Sequence, residues 1–210
     1  MATLILDIET VGFDAENTDS LSPYKGQIVS LAMYDREREL GSVYFVSSKE
    51  ESFEDNSFKF KARTEQEVLE DFWESAKQYD VFVTYNGRAF DLPFLYIRSL
   101  ALDVQPTIEI ARQRYVTKQS PAYHVDIFDE FTFHGAVTKK PSLSVLTEAV
   151  GIDNPKLTMS GEDVTEAFLQ KRITDIAKYN AGDVVAIAKL YEKWLTHLAP
   201  QSFINTLELT

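Results

Sequence analysis

Three short stretches of the sequence hold acidic and phenolic side chains at spacings that chemistry could use. Asp7 and Glu9 stand two apart at the end of the apolar run from Thr3 to Ile8. If that run is a strand, alternation of side chains turns both carboxylates to one face. Asp-x-Glu recurs as Asp14-Ala15-Glu16 and Asp35-Arg36-Glu37, both in polar surroundings where solvation accounts for them. An acid that closes a buried run is different, because an unpaired carboxylate there is costly and calls for a cation. The second stretch, Asn86-Gly87-Arg88-Ala89-Phe90-Asp91, follows the apolar segment Val81 to Tyr85 and precedes a helical pattern. Ligands of open α/β sheets sit at the carboxyl ends of strands, which makes Asp91 a ligand candidate. Capping of the next helix accounts for an Asp there equally well. The third is Tyr179-Asn180-Ala181-Gly182-Asp183, in which Tyr179 and Asp183 share a helix face, and no other Tyr precedes an Asp by four residues. Taken alone, that pair reads as a core tyrosine beside a solvated acid.

The three stretches together carry more than any one of them. Four carboxylates gathered in one cleft repel one another and are driven to take up protons unless divalent cations neutralise them. An all-oxygen donor set of this kind suits Mg²⁺ or Mn²⁺. Two such ions, about 3.5–4 Å apart, clamp both oxygens of an in-line displacement at phosphorus.

The ordered set Asp7-x-Glu9, Asn86-x-x-x-Phe90-Asp91 and Tyr179-x-x-x-Asp183 resembles the three motifs of the DEDDy 3′–5′ exonucleases of the ribonuclease H-like superfamily. Asp7-Ile8-Glu9-Thr10 and Phe90-Asp91-Leu92-Pro93 bring it closest to stand-alone relatives of the proofreading exonuclease domain of family B DNA polymerases. The resemblance implies a two-metal site in which Asp7, Glu9 and Asp183 hold the ion that activates the attacking water. Asp7 would bridge to a second ion that Asp91 holds largely through water, and Tyr179 would orient the nucleophile by its hydroxyl. It also implies contacts of Thr10, Asn86 and Phe90 with the terminal nucleotides, although turn chemistry and core packing explain Asn86 and Phe90 equally. The expected activity is release of nucleoside 5′-monophosphates from the 3′ end of single-stranded nucleic acid, DNA favoured over RNA. The alternative is a non-cleaving, end-binding accessory subunit of a polymerase or repair complex. The histidine variant of the family would need His where Lys178 stands, and His124, His134 and His197 lack metal-ligand spacing. Asn180 departs from the smaller or apolar residue often found after the tyrosine, with no disturbance of the metals expected.

The elements that must position these residues are readable in outline. Thr3 to Ile8 fits a strand covered on both faces. Gln27 to Tyr34 and Gly41 to Val46 flank the charged turn Asp35 to Glu39 and read as an antiparallel meander with it. Thr64 and Glu67 form a capping-box signature ahead of Val68, Leu69, Phe72, Trp73 and Ala76, which recur at helical spacing up to about Tyr79. Val81 to Tyr85 is a strand, Leu92 to Leu102 a helix with Pro93 in its first turn, and Tyr123 to Phe128 a further strand. Ser142 caps a helix ended by Gly151, Glu162 to Leu169 is helical, and Ile173 to Leu198 carries a long amphipathic pattern. The fold class that follows is α/β: an antiparallel meander, then parallel strands, with helices on the faces of one mixed sheet. The resemblance makes it a ribonuclease H-like sheet in a single domain over residues 1–210.

Composition bounds what the chain can be. Its 210 residues, 44% hydrophobic and 26% charged, are ordinary for one globular domain with a sizeable core, and disordered or fibrous classes are excluded. Cys is 0, which removes disulfide scaffolds, zinc–thiolate sites and cysteine nucleophiles and permits a reducing compartment; cytoplasmic location is the expectation. The apolar start lacks a basic segment and a cleavage site, so it reads as a strand and not as a signal peptide. No run of about 18 apolar residues occurs, so no membrane contact is expected. The net charge of −12 argues against tight non-specific binding of a polyanion and predicts weak, salt-sensitive substrate binding without a partner. Between Ile110 and Val125 there is no acid, and Arg112, Arg114 and Lys118 alternate with Tyr115 and Tyr123. That pattern suits a single-stranded backbone and its bases. A solvated basic loop is the better account of any one of these residues taken singly.

Overall fold

The computed structural model describes residues 1–14, 19–110, 123–152 and 159–208. The basic and aromatic stretch from Arg112 to Lys118 lies outside the described residues; Tyr123 enters only through its backbone. One seven-stranded sheet runs in the order β4-β5-β3-β2-β1-β6-β7. Its strands are β1 (Thr3–Gly12), β2 (Gly26–Asp35), β3 (Leu40–Val46), β4 (Ser52–Asp55), β5 (Phe58–Arg63), β6 (Val81–Thr84) and β7 (Tyr123–Asp126). The β1, β2 and β3 strands form the expected antiparallel meander, and β6 and β7 add to β1 in parallel.

Unexpected from the sequence is the β4–β5 hairpin, which extends the far side of the sheet with β5 parallel to β3. Its signal is present: Phe58, Phe60 and Ala62 are buried while Lys59 and Lys61 face water, the alternation of a half-buried strand. The expected strand Tyr123 to Phe128 ends two residues early. Asp126 accepts the Phe128 N–H at 3.1 Å and so caps the short helix α3 (Ile127–Phe131).

Helices cover both faces. On one face lies α1 (Glu65–Ala76), started by the expected capping box of Thr64 and Glu67. Beside it lies α2 (Asp91–Ala101), and Trp73 donates to Ser99 at 2.8 Å to tie the two together. They bury Leu4, Leu6 and Ile8 of β1 with Leu31 and Met33 of β2. At the edge of this layer Arg98 makes a two-pronged pair with Glu65 at 2.8 and 2.7 Å, and Glu65 also accepts the Ile28 N–H at 2.8 Å.

The other face carries α4 (Leu143–Ala149), capped by Ser142, then α5 (Val164–Leu169) and α6 (Ile173–His197). A 3-10 turn over Gly161–Asp163 takes the first residues of the helix expected from Glu162. Ala177, Ala181, Val184, Ile187, Tyr191 and Trp194 form one buried stripe of α6 at steps of three and four, the geometry that seats a helix on a sheet. A last helix, α7 (Gln201–Glu208), brings Phe203 edge-on to Trp194.

Two features of this frame bear on the carboxylates. Asp7, Glu9 and Val11 alternate with Leu6 and Ile8, so both acids face α6 while the apolar residues face α1 and α2. The register of β1 with β2 shifts between Glu9 and Thr10, which pair with Ser30 and Ile28 and leave Val29 without an opposite residue. Through this bulge Val29 packs with α5 and α6 while Ser30 also reaches α6.

Candidate active site

Strand β1 supplies Asp7 and Glu9, and α6, from the other end of the chain, supplies Asp183. Carboxylate oxygens of these three lie within 4.8 Å of one another. The clustering is possible because α6 lays its apolar stripe over β1 and β2, and Asp183 falls at the point of that stripe opposite the two strand acids.

Asp91, the first residue of α2, stands beside this group and not within it. It is fully buried, at 1% exposure. Its Oδ1 accepts the Ile8 N–H at 3.0 Å, a donor left without a strand partner because the β1–β6 pairing ends at Ile5 and Val83. Its Oδ2 is buried with no hydrogen-bond partner among the described residues. Asp91 is not the N-cap of α2, which is Phe90 and lacks a side-chain bond.

Burial shifts all four acids in one direction, and the charges of neighbouring site acids add to it at Asp7 and Glu9. Burial, followed by the charges of Asp91, Asp183 and Glu9, raises Asp7 well above the ordinary carboxylate range, against a smaller opposing effect of Asn180. Burial and the charges of Asp183 and Asp91 do the same to Glu9. Burial lifts Asp183 to about 7 and Asp91 to about 8. Tyr179 is hydrogen bonded to Asp183, and burial with the adjacent acids raises its phenol far above the usual range, so it stays a donor. A hard divalent cation relieves every one of these costs, and three clustered carboxylates plus a buried carboxylate oxygen without a partner are a donor set that fits one.

The segment between β6 and α2 is held from below by a residue the sequence reading passed over. Asp126, at the end of β7, accepts the N–H groups of Asn86 at 2.8 Å and Arg88 at 3.0 Å. Asn86 adopts φ 60, and Gly87 lies so close to Thr84 that a Cβ would fall 2.4 Å from its side chain. Burial raises Asp126 to about 6, less than it otherwise would because three backbone donors surround it. The rule that singled out Asp7, an acid closing an apolar strand, applies equally to Asp126.

The three residues expected to touch nucleotides are placed differently from one another. Thr10 is buried, and its hydroxyl donates to the Ser20 carbonyl at 2.6 Å. Phe90 is half-buried and meets Phe94 edge-on at 5.1 Å between ring centroids. Asn86 is half-buried at the turn after β6. Of the histidines, His124 is buried and bonded to Thr84 at 2.9 Å. Sequence reasoning also missed Ser30 and gave Asn180 no part in the site. Asn180 is fully buried, donates from Nδ2 to Asp7 Oδ2 at 2.7 Å, and accepts from the Ser30 hydroxyl at 2.8 Å.

The chain is similar to known proteins over much of its length. Residues 35–205 match the model of a family described as "Predicted 3'-5' exonuclease related to the exonuclease domain of PolB". That range holds Asp91, Tyr179 and Asp183 and begins after the strand that carries Asp7 and Glu9. DNA polymerase 1 of Sulfolobus acidocaldarius is 26% identical over 136 residues, 60% of this chain and 15% of the polymerase. DNA polymerase 1 of Saccharolobus solfataricus is 35% identical over 77 residues, 35% of this chain and 8% of the polymerase. The catalytic polypeptide of DNA polymerase epsilon from Aspergillus fumigatus is 27% identical over 146 residues, 65% of this chain and 6% of that polypeptide. The chain thus spans a small part of each polymerase it matches. Among solved structures, the family B DNA polymerase of Pyrobaculum calidifontis superposes with a TM-score of 0.68 at 23% identity, over 92% of this chain and 24% of the polymerase. That likeness establishes the fold, the ribonuclease H-like mixed sheet with flanking helices. The family match covers well over half of the sequence, and the chain belongs to this family of predicted 3′–5′ exonucleases related to the exonuclease domain of family B DNA polymerases.

Proposed function

We propose that the chain is a metal-dependent exonuclease that removes nucleoside 5′-monophosphates from the 3′ end of single-stranded nucleic acid, DNA in preference to RNA, within a single domain over residues 1–210. The observation that carries this reading is the approach of the Asp7, Glu9 and Asp183 carboxylates to within 4.8 Å of one another. Mg²⁺ or Mn²⁺, two ions in all, would supply Lewis-acid activation of water and charge stabilisation at the leaving 3′ oxygen. Asp7, Glu9 and Asp183 would hold one ion, and Asp7 and Asp91 the other. Tyr179 gives its proton to Asp183 in a hydrogen bond and keeps its oxygen lone pairs for the attacking water, which it orients in line with the scissile bond. Since the phenol remains protonated, it positions the nucleophile and does not deprotonate it. Asn86 and Phe90, at the mouth of the β6–α2 turn, would meet the terminal nucleotide, and Thr10 would contribute through the loop it anchors. A polymerase or repair complex is the partner that such an end-trimming activity suits.

The test is cleavage of matched 5′-labelled DNA and RNA oligonucleotides with Mg²⁺ or Mn²⁺, wild type against Asp7→Ala. A ladder shortened from the 3′ end by wild type alone supports the reading. Equal cleavage by the variant discards it. Binding of the oligonucleotide without cleavage under either ion assigns the accessory role instead.

A further inference from the structure

We infer that Asn180, oriented by Ser30, is a positioning residue that fixes the Asp7 carboxylate for its cation. The inference rests on the metal-binding reading of the site. Three elements meet at this amide: Asn180 on α6, Ser30 on β2 at the bulge opposite Glu9, and Asp7 on β1. Ser30 Oγ donates to Asn180 Oδ1 at 2.8 Å, and Asn180 Nδ2 donates to Asp7 Oδ2 at 2.7 Å. Both Ser30 and Asn180 are fully buried, at 0% exposure, so no water competes for these bonds. An ionised carboxylate only accepts, so the amide turns its N–H₂ toward Asp7 and leaves Oδ1 to accept from Ser30, whose hydroxyl then holds that orientation. Asp7 then has one oxygen engaged by a neutral donor, and rotation of its side chain is arrested.

The chemistry of the donor explains why an amide occupies this place. A Lys or Arg would hold Asp7 equally well, but its charge would neutralise the carboxylate and repel the cation the site gathers. An apolar residue would leave Asp7 Oδ2 and the Ser30 hydroxyl unpaired in the interior. Asn180 therefore orders the ligand without lowering its negative charge. Groups that orient metal ligands in this way typically change metal affinity or activity by about 10–100-fold when removed.

The experiment is Mn²⁺ titration by calorimetry of wild type, Asn180→Leu, Ser30→Ala and the double variant, with melting temperatures recorded beside it. Expected is about 10–100-fold weaker Mn²⁺ binding in Asn180→Leu, a smaller loss in Ser30→Ala, and a double variant no weaker than Asn180→Leu, since Ser30 acts through the amide. In cleavage assays the Mn²⁺ concentration for half-maximal rate rises, while the rate at saturating Mn²⁺ returns to within several-fold of wild type. Wild-type affinity in folded Asn180→Leu overturns the inference. So does a double variant whose losses simply add. Should Asn180→Leu not fold, Ser30→Ala decides alone, and unchanged Mn²⁺ binding there overturns it. Wild type that binds Mn²⁺ but cleaves no oligonucleotide removes the nuclease reading and leaves this inference standing, whereas wild type that binds no Mn²⁺ removes both.

Discussion

At the scale of single residues, the proposed function divides the work of one helix turn between Tyr179 and Asp183. Asp183 would offer charge to a cation, and the phenol hydrogen bonded to it would offer direction to a water molecule. Removing the hydroxyl alone should therefore separate the two effects. Tyr179→Phe is expected to lower the cleavage rate at saturating metal by about 100-fold, the low end of what a positioned hydrogen-bonding group contributes, with Mn²⁺ affinity within a few-fold of wild type. Asp183→Asn should lose both rate and affinity. Single-turnover cleavage beside calorimetric titration tells these outcomes apart. Their spacing, four residues or one helix turn and found once in the chain, made this pair a candidate only in company with Asp7, Glu9 and Asp91. The role of Asn180 was invisible for the opposite reason: a single amide carries no spacing of its own. Its meaning comes from Ser30 and Asp7, residues 150 and 173 positions away that only the closed sheet brings to it.

At the scale of elements, the turn between β6 and α2 is held in shape by a strand some forty residues further on. Asn86 takes a left-handed φ of 60, and Gly87 lies against Thr84 where no side chain fits. Asp126 holds this turn by the N–H groups of Asn86 and Arg88. Asp126→Ala orphans those donors, and an unfolding free energy lower by about 1–3 kcal/mol is expected in urea titrations. Phe90 and Asp91 ride on the same turn, so oligonucleotide affinity should fall in the same variant. Unchanged stability and affinity would show that the turn holds its shape without β7. The strands and helices around the site were legible from an apolar run in β1, alternation in β3, and a period of three to four in α1 and α6. The β4–β5 hairpin alternates too, in Phe58-Lys59-Phe60-Lys61, but β4 has only four residues, too few for its pattern to stand out. The end of β7 was misplaced because apolar Ile127 and Phe128 continue the strand's composition while the Asp126 side chain has already begun a helix.

At the scale of the whole molecule, the carboxylate cluster joins residues from the two ends of the sequence and makes folding sensitive to both protons and metal. The acids of the site bind protons more tightly in the folded chain than in the unfolded one, with Asp183 raised to about 7 and Asp91 to about 8. A raised folded-state value contributes stability that is fully present below the ordinary carboxylate value of 3.8 and is lost as pH rises through the folded value. Metal-free protein should therefore melt at a lower temperature at pH 8 than at pH 6.5. Buried His124, lowered to about 4, has the opposite sign, but its contribution is lost only as pH falls from its ordinary value of 6.5, so it stays largely intact across that interval. Mn²⁺ competes with those same protons and binds more tightly at pH 8. Binding to the folded state alone stabilises it by about 2.7 kcal/mol when the free ion reaches 100 times its dissociation constant. The gap in melting temperature between protein in chelator and protein in a fixed Mn²⁺ concentration should accordingly widen from pH 6.5 to pH 8. Asp7→Asn removes a ligand and a repelling charge together, so the metal-free variant should melt above metal-free wild type at pH 8 while its gap with Mn²⁺ shrinks toward zero. Scanning calorimetry of both proteins at the two pH values measures all of this, and a metal-free wild type more stable at pH 8 than at pH 6.5 would show that burial does not hold the acids of β1, α2 and α6 at raised proton affinity.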